Sequence, residues 1–384
     1  MTRKVAVVGV GWSGFRSITP ELSYKELAFE AATRAYADAG IDPRRDVQGF
    51  VTAAEDYYEG TSIFDEYTPD QLGAALRPMH TITGDGLHAL AAAYMQIASG
   101  LMDVAVVESH SKVSNILSLP HITAFALDPV MERPLAAHPS FVAGLEMQWL
   151  LAARRFTLPQ CAAVVVKNKR NALANPLASF AASVTWRDVL DSAPLAEPVT
   201  RLMAAPHADG CVVMVLADED TARGLRGKPL WIRGLGWAND TPALDSRVWG
   251  KARYARKAGE MVYRTAGIRS PRAEIDFAEI DDTYAHKELA HLEALNLARE
   301  GEAGAWTAEG GTERSGEFPV NPSGGSLGFG SLLDASGLAR SLEVVLQLRG
   351  EAGARQLSNV NTGLAFAWRG LPTTSGVAAV FSNQ

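Results

Sequence analysis

The chain has 384 residues, 47% of them hydrophobic and 21% charged, with a formal net charge of -7. This composition excludes a disordered chain, the length allows two ordinary domains or one large duplicated one, and the acidic balance gives no general pull toward nucleic acid or an anionic membrane. Two cysteines, Cys161 and Cys211, each beside an apolar run, fit a reduced, cytoplasmic setting, and no apolar stretch approaches the length of a membrane span.

Residues 4–9 form a β-branched run that closes on glycines, which predicts a strand; a helix over 24–39 and a second strand over 47–52 follow. After a polar, aromatic loop, a short strand at 80–82 enters the turn Gly84-Asp85-Gly86. An alanine-rich helix over 87–99 and an apolar strand over 103–107 complete a tight βαβ unit with its turn at a helix N-terminus. Residues 111–205 read as a long excursion containing helices, and 212–216 as a returning strand. The second half repeats the order: strand 230–236, helix 253–266, strand 275–280, helix 284–298, the turn Asn321-Pro322-Ser323-Gly324-Gly325, a helix over 335–348, and strands near 357–361 and 376–381. YADAGI at 36–41 and YRTAGI at 263–268 fall at equivalent points of the two series. A duplicated α/β protein is expected, with an N-terminal half over 1–225 that includes a loop domain at about 111–205, and a C-terminal half over 226–384.

Four stretches carry a family resemblance: IASGLMDVAVV at 97–107, VVVKNKRNALANPLASF at 164–180, the run over 191–219 with its Asp209-Gly210, and NPSGG at 321–325. In this order, over essentially the whole chain, they resemble the thiolase superfamily, and more closely its sterol-carrier-type and archaeal branch. The resemblance implies two βαβαβαββ halves stacked as five layers, αβαβα, with a loop domain in the first half. It also implies an acyl-CoA substrate, no tightly bound cofactor, a homodimer or tetramer, and a small zinc-ribbon and OB-fold partner protein that presents coenzyme A.

In a thiolase the nucleophilic cysteine opens the helix after the third strand, where the helix N-terminus lowers the thiol pKa and supplies amide donors for the acyl oxygen. Counting back from Ile97-Ala98-Ser99-Gly100 places that turn at Thr83-Gly84-Asp85-Gly86, so the resemblance puts Thr83 where the cysteine belongs. A threonine hydroxyl needs a positioned base to attack. Alternatively, Thr83 and Asp85 cap the helix that follows. The family's Gly-His-Pro turn falls at Ser331 without a histidine, and its His-Asp-Ala-Phe motif reads Asp281-Asp282-Thr283-Tyr284. The late glycine motif falls near 361–370, which holds neither cysteine nor histidine.

Ordinary acyl-enzyme chemistry is therefore not expected. The candidate catalytic positions are Tyr284, Asp281, Thr83 and Ser331. Gly84, Asp85, His88, Asn321, Gly325 and Gly330 are candidate substrate contacts, because glycines let backbone amides approach a thioester carbonyl. Tyr284 stands in place of an apolar family residue beside the pocket, as an acid/base phenol or a core tyrosine. His80, His88, His110 and His121 fall within reach of the pocket; His286 and His291 read as surface or core residues. No histidine or cysteine spacing suits a metal. Lys167, Lys169 and Arg170 are either a cluster for coenzyme A phosphates or a solvated helix face.

Three functions stay open. One is an enzyme that makes or breaks a carbon-carbon bond next to an acyl-CoA thioester, like the thiolase-like retro-aldolases, which lack the cysteine and use tyrosine chemistry. Another is a non-catalytic coenzyme A-binding or scaffold subunit. The third is an acetyl-CoA acyltransferase with its cysteine elsewhere. The first is the expectation.

Overall fold

The computed structural model describes residues 3–55, 63–116, 118–136, 138–225, 227–370 and 374–384. Its strands are β1 (Val5–Arg16), β2 (Gly49–Ala53), β3 (Met79–Ile82), β4 (Val104–Ser111), β5 (Pro194–Ala196), β6 (Val199–Thr200), β7 (Asp209–Asp218), β8 (Leu230–Asn239), β9 (Phe277–Ile280), β10 (Thr362–Gly370) and β11 (Thr374–Ser382). The main helices are α1 (Tyr24–Ala39), α2 (Gly86–Ala98), α3 (Phe141–Ala152), α4 (Leu158–Ala172), α5 (Arg253–Ala266), α6 (Ala285–Ala294) and α7 (Ser336–Arg349).

Nine strands run in the order β3-β2-β4-β7-β1-β8-β11-β10-β9, and β5 pairs with β6 apart from them. Outward from β1, the pairings are antiparallel to β7, antiparallel to β4, parallel to β2 and parallel to β3. Outward from β8 the same series recurs through β11, β10 and β9, ending in a parallel bridge between Ala278 and Val320. Among the described residues, the two series of strands pair where Ala6 and Val7 meet Trp231 and Leu230.

Strand alternation builds the layers, because successive side chains leave opposite faces of a strand. Val5, Val7, Val107, Met214, Ala365 and Val377 point inward onto α2 and α7, which fill the space between the halves. Ala6, Val8, Val106 and Val213 point outward onto α1, and Leu364, Phe366 and Ala378 point outward onto α5, α6 and the excursion helices α3 and α4. The result is five layers, αβαβα.

Glycines 9 and 11 lie inside β1, which continues to Arg16 rather than stopping at residue 9 as its composition suggested. Their role is close packing: an added Cβ at Gly9 would fall 2.5 Å from the Ala35 carbonyl oxygen of α1, and one at Gly234 of β8 would fall 2.6 Å from that of Val262 in α5. The repeated hexapeptide has an equally local cause. Gly40 and Gly267 end α1 and α5 in the left-handed region, at φ 70° and 71°. The expected strand at 357–361 is irregular chain leading into β10. Helix α6 stops at Ala294, four residues short of the sequence expectation.

Candidate active site

Where the excursion folds back over both halves, it encloses a cavity of about 650 Å³. Its lining combines apolar Leu119, Phe180, Leu202 and Leu333 with polar Asp85, Asp281, Tyr284, Ser331 and His207 and the cations Lys169, Arg201 and Arg369.

Asp85 is the N-cap of α2 and accepts from the Leu87 amide at 2.8 Å. Its other oxygen accepts from the Gly337 amide at 2.9 Å, in the first turn of α7. Position 337 has to be glycine here, since a Cβ would overlap Asp85 Oδ1. Both central helices thus direct their N-termini at one carboxylate. Burial pushes its pKa up to about 7, against the two amides and the charge of Arg340.

Asp281 follows β9 directly, with its Oδ2 2.9 Å from Arg340 Nη2. The neighbouring Asp282 accepts from the amides of Ser326 (2.6 Å) and Leu327 (3.1 Å) and from Asn168 Nδ2 (2.8 Å), so it fixes the turn after Gly324. Burial raises its pKa to about 6. Tyr284 sits at the N-cap position of α6 and shares a 3.3 Å hydrogen bond with Ser140 of the excursion. Burial raises its phenol pKa, so the phenol keeps its proton at neutral pH. Ser331 is held by its backbone, donating to Pro206 O at 2.7 Å and accepting from the Ala208 amide at 2.9 Å, which brings His207 beside it. His207 lines the cavity, and desolvation by the surrounding protein lowers its pKa.

The other expected catalytic and substrate-contact residues lie outside this lining. Thr83 is exposed and outside the lining, Gly84 backs onto the His88 ring, and burial lowers His88 to about 4. Asn321 is fully buried, accepting from the Ile280 amide and donating to Glu288, both at 2.7 Å. A Cβ at Gly325 would overlap the Asp282 carboxylate, and one at Gly330 would meet Ala208, so both glycines shape the backbone behind the wall. The lysine cluster is corrected. Lys167 is buried on Glu288 (2.7 Å), Lys169 donates to the carbonyls of Phe180 and Leu327, and Arg170 pairs outside with Glu313. Lys167 is therefore a buried ion pair behind the site, and Lys169 is buried and lines the cavity, so the two do not form a solvated face. His80 bonds Gln96, His110 bonds Glu108, and His121 is exposed. His286 and His291 are both fully buried core residues. His207 was not singled out from the sequence. Its signal was its place two residues before Asp209-Gly210, which the structure turns into the cavity wall.

Neither cysteine lines the cavity: Cys161 is buried in α4, where burial pushes its thiol up to about 12, and Cys211 is buried in β7. Among the described residues, no group of His, Cys, Asp and Glu is arranged to hold a metal, and no helix is long and apolar enough to cross a membrane.

Residues 237–383 match the thiolase C-terminal domain-like family. An acetyl-CoA acetyltransferase of Methanothermobacter thermautotrophicus is 30% identical over 98% of each chain. The chain belongs to the thiolase superfamily. Among solved structures, the thiolase fold recurs in an Ltp2-ChsH2(DUF35) aldolase at TM-score 0.85 and 24% identity, covering 99% of this chain and 98% of that one. It recurs again in human mitochondrial 3-ketoacyl-CoA thiolase at TM-score 0.75 and 15% identity, covering 100% and 99%. This thiolase-superfamily chain is accordingly a thiolase-like acyl-CoA protein, similar in sequence to an acetyl-CoA acetyltransferase.

Proposed function

We propose that the chain cleaves or forms a carbon-carbon bond beside an acyl-CoA thioester, in the retro-aldol sense, together with a partner subunit. The observation that carries this reading is a cavity without a thiol that Asp85, Asp281, Tyr284 and Ser331 all line. A Claisen reaction through an acyl-enzyme needs a nucleophile there, and none of these groups is an activated one. A retro-aldol step needs only proton transfer and stabilisation of an enolate.

Tyr284 carries a protonated phenol, suited to donate to the oxygen or carbon on which charge develops. Asp281, held by Arg340, keeps that end of the cavity polar without leaving an unpaired charge. The apolar part of the lining takes the acyl group, and the cavity has the size of an ordinary ligand site, roughly 300–1,000 Å³. The Ltp2-ChsH2(DUF35) aldolase, which shares the fold, pairs two proteins, in keeping with a small zinc-ribbon and OB-fold partner for this chain.

The test is incubation of the chain, alone and with such a partner, with β-hydroxyacyl-CoA thioesters, reading released aldehyde or ketone. Release is expected, and Tyr284→Phe should slow it by about 10²- to 10⁴-fold. No release from any thioester, with the partner present, would sink the reading. A thiol-directed acyl-CoA analogue is expected to leave Cys161 and Cys211 unlabelled; labelling of either would restore acyl transfer.

A further inference from the structure

Retro-aldol cleavage requires a group that takes the proton of the β-hydroxyl, and among the described residues, of the carboxylates in and behind the cavity lining only Asp85 and Asp281 face the cavity. Asp281 is engaged by Arg340 and by the amide and hydroxyl of Thr283, at 3.1 and 3.2 Å. Asp282 is fully buried and bound by three donors. Glu279 bonds the amide and hydroxyl of Ser323, and Glu288 bonds Lys167, Asn168 and Asn321; neither lines the cavity. Asp85 differs. It lines the cavity, and two backbone amides occupy only part of its acceptor capacity, since a carboxylate has about four lone-pair sites.

Resting on the retro-aldol reading, we propose that Asp85 is the general base of this site, accepting the β-hydroxyl proton as the substrate bond breaks. The O–H electron pair becomes the new carbonyl π bond, the Cα–Cβ pair moves into the thioester enolate, and Cα takes a proton from the Tyr284 phenol. Asp85 then returns its proton and Tyr284 regains one through solvent, so the protein ends unchanged.

The geometry suits both states of the carboxyl. The ionised form faces the positive ends of α2 and α7 and the charge of Arg340. The neutral form is favoured by burial at 2% exposure and by the nearby charge of Asp281. With the two opposed, the group titrates near neutral pH, where a general base is most effective. The same arrangement occupies the two helix-terminal amides, Leu87 and Gly337, that would otherwise be free to bind a thioester oxyanion.

The decisive variants are Asp85→Asn and Asp85→Ala in the full chain with its partner, checked by thermal melting for a native fold. Asp85→Asn is expected to lose about 10²- to 10⁴-fold in kcat while its Kd for 3-hydroxybutyryl-CoA stays within about threefold. Formate should restore part of the rate to Asp85→Ala and chloride should not. A rate for Asp85→Asn within about threefold of the parent, or equal rescue by chloride, would overturn the assignment. Should the parent chain cleave no thioester, the reaction reading fails by itself, and calorimetry decides the residue. Covering Asp85 with 3-hydroxybutyryl-CoA should draw a proton from buffer in the parent chain and not in Asp85→Asn; equal uptake in both would remove Asp85.

Discussion

Asp85 shows how one side chain can tie two distant helices together. Its carboxylate caps α2 and also receives the amide of Gly337, 252 residues away in the chain. Gly337→Ala should therefore act through Asp85: the added methyl group overlaps Oδ1, and turnover is expected to fall at least tenfold with no change in net charge. Steady-state kinetics of that variant beside Asp85→Asn would show whether the two losses coincide. Tyr284 and Ser331 were readable as altered family positions, because each occupies a fixed offset from a recognisable motif. His207 was not readable in this way. It reaches the wall because the Ser331 amide donates to the Pro206 carbonyl and the Ser331 carbonyl accepts from the Ala208 amide, on either side of His207.

At the scale of elements, the halves are matched by glycines as well as by strand order. Gly9 and Gly11 on β1 let α1 approach, and Gly234 and Gly236 on β8 do the same for α5. Gly11→Ala should force α1 outward and destabilise the chain by about 1–3 kcal/mol in urea unfolding, and Gly236→Ala should cost a similar amount at α5. An unchanged midpoint in either would mean that the helix can yield. The N-terminus of α1 carries a capping box between Ser23 and Glu26, so Ser23→Ala is expected to cost about 1 kcal/mol. Composition marked these helices clearly. It misread the glycines of β1 as a stop, because packing glycines and turn glycines look alike along a sequence.

Across the whole molecule, the excursion is locked to the C-terminal half by buried charge. Lys167 of α4 meets Glu288 of α6 at 2.7 Å with both side chains almost fully buried. Lys167→Met leaves Glu288 partly uncompensated and should cost about 3–5 kcal/mol, read as a lowered Tm. Buried carboxyls also set the pH response. Burial raises Glu279 to about 8 and Asp85 to about 7 in the folded chain, so between pH 4 and these values the native state holds protons that the unfolded state has released. Their contribution is full below the unfolded pKa and is lost as pH rises through the folded values. Stability is expected to fall by roughly 1–2 kcal/mol between pH 7 and 8.5, and Glu279→Gln should flatten that slope.

The order of strands and helices and the duplicated α/β plan were legible along the chain, because β-branched runs and helical periodicity are local properties, and the five layers followed from the family resemblance. The sequence by itself also determined that no cysteine stands at the expected turn, because residue identity at a motif needs no third dimension. Tertiary structure alone decided which charged groups face the cavity and which are buried pairs: Lys167 and Asp85 look equally available in one dimension. Their roles depend on Glu288 and Gly337, partners that only the closed fold brings within hydrogen-bond distance.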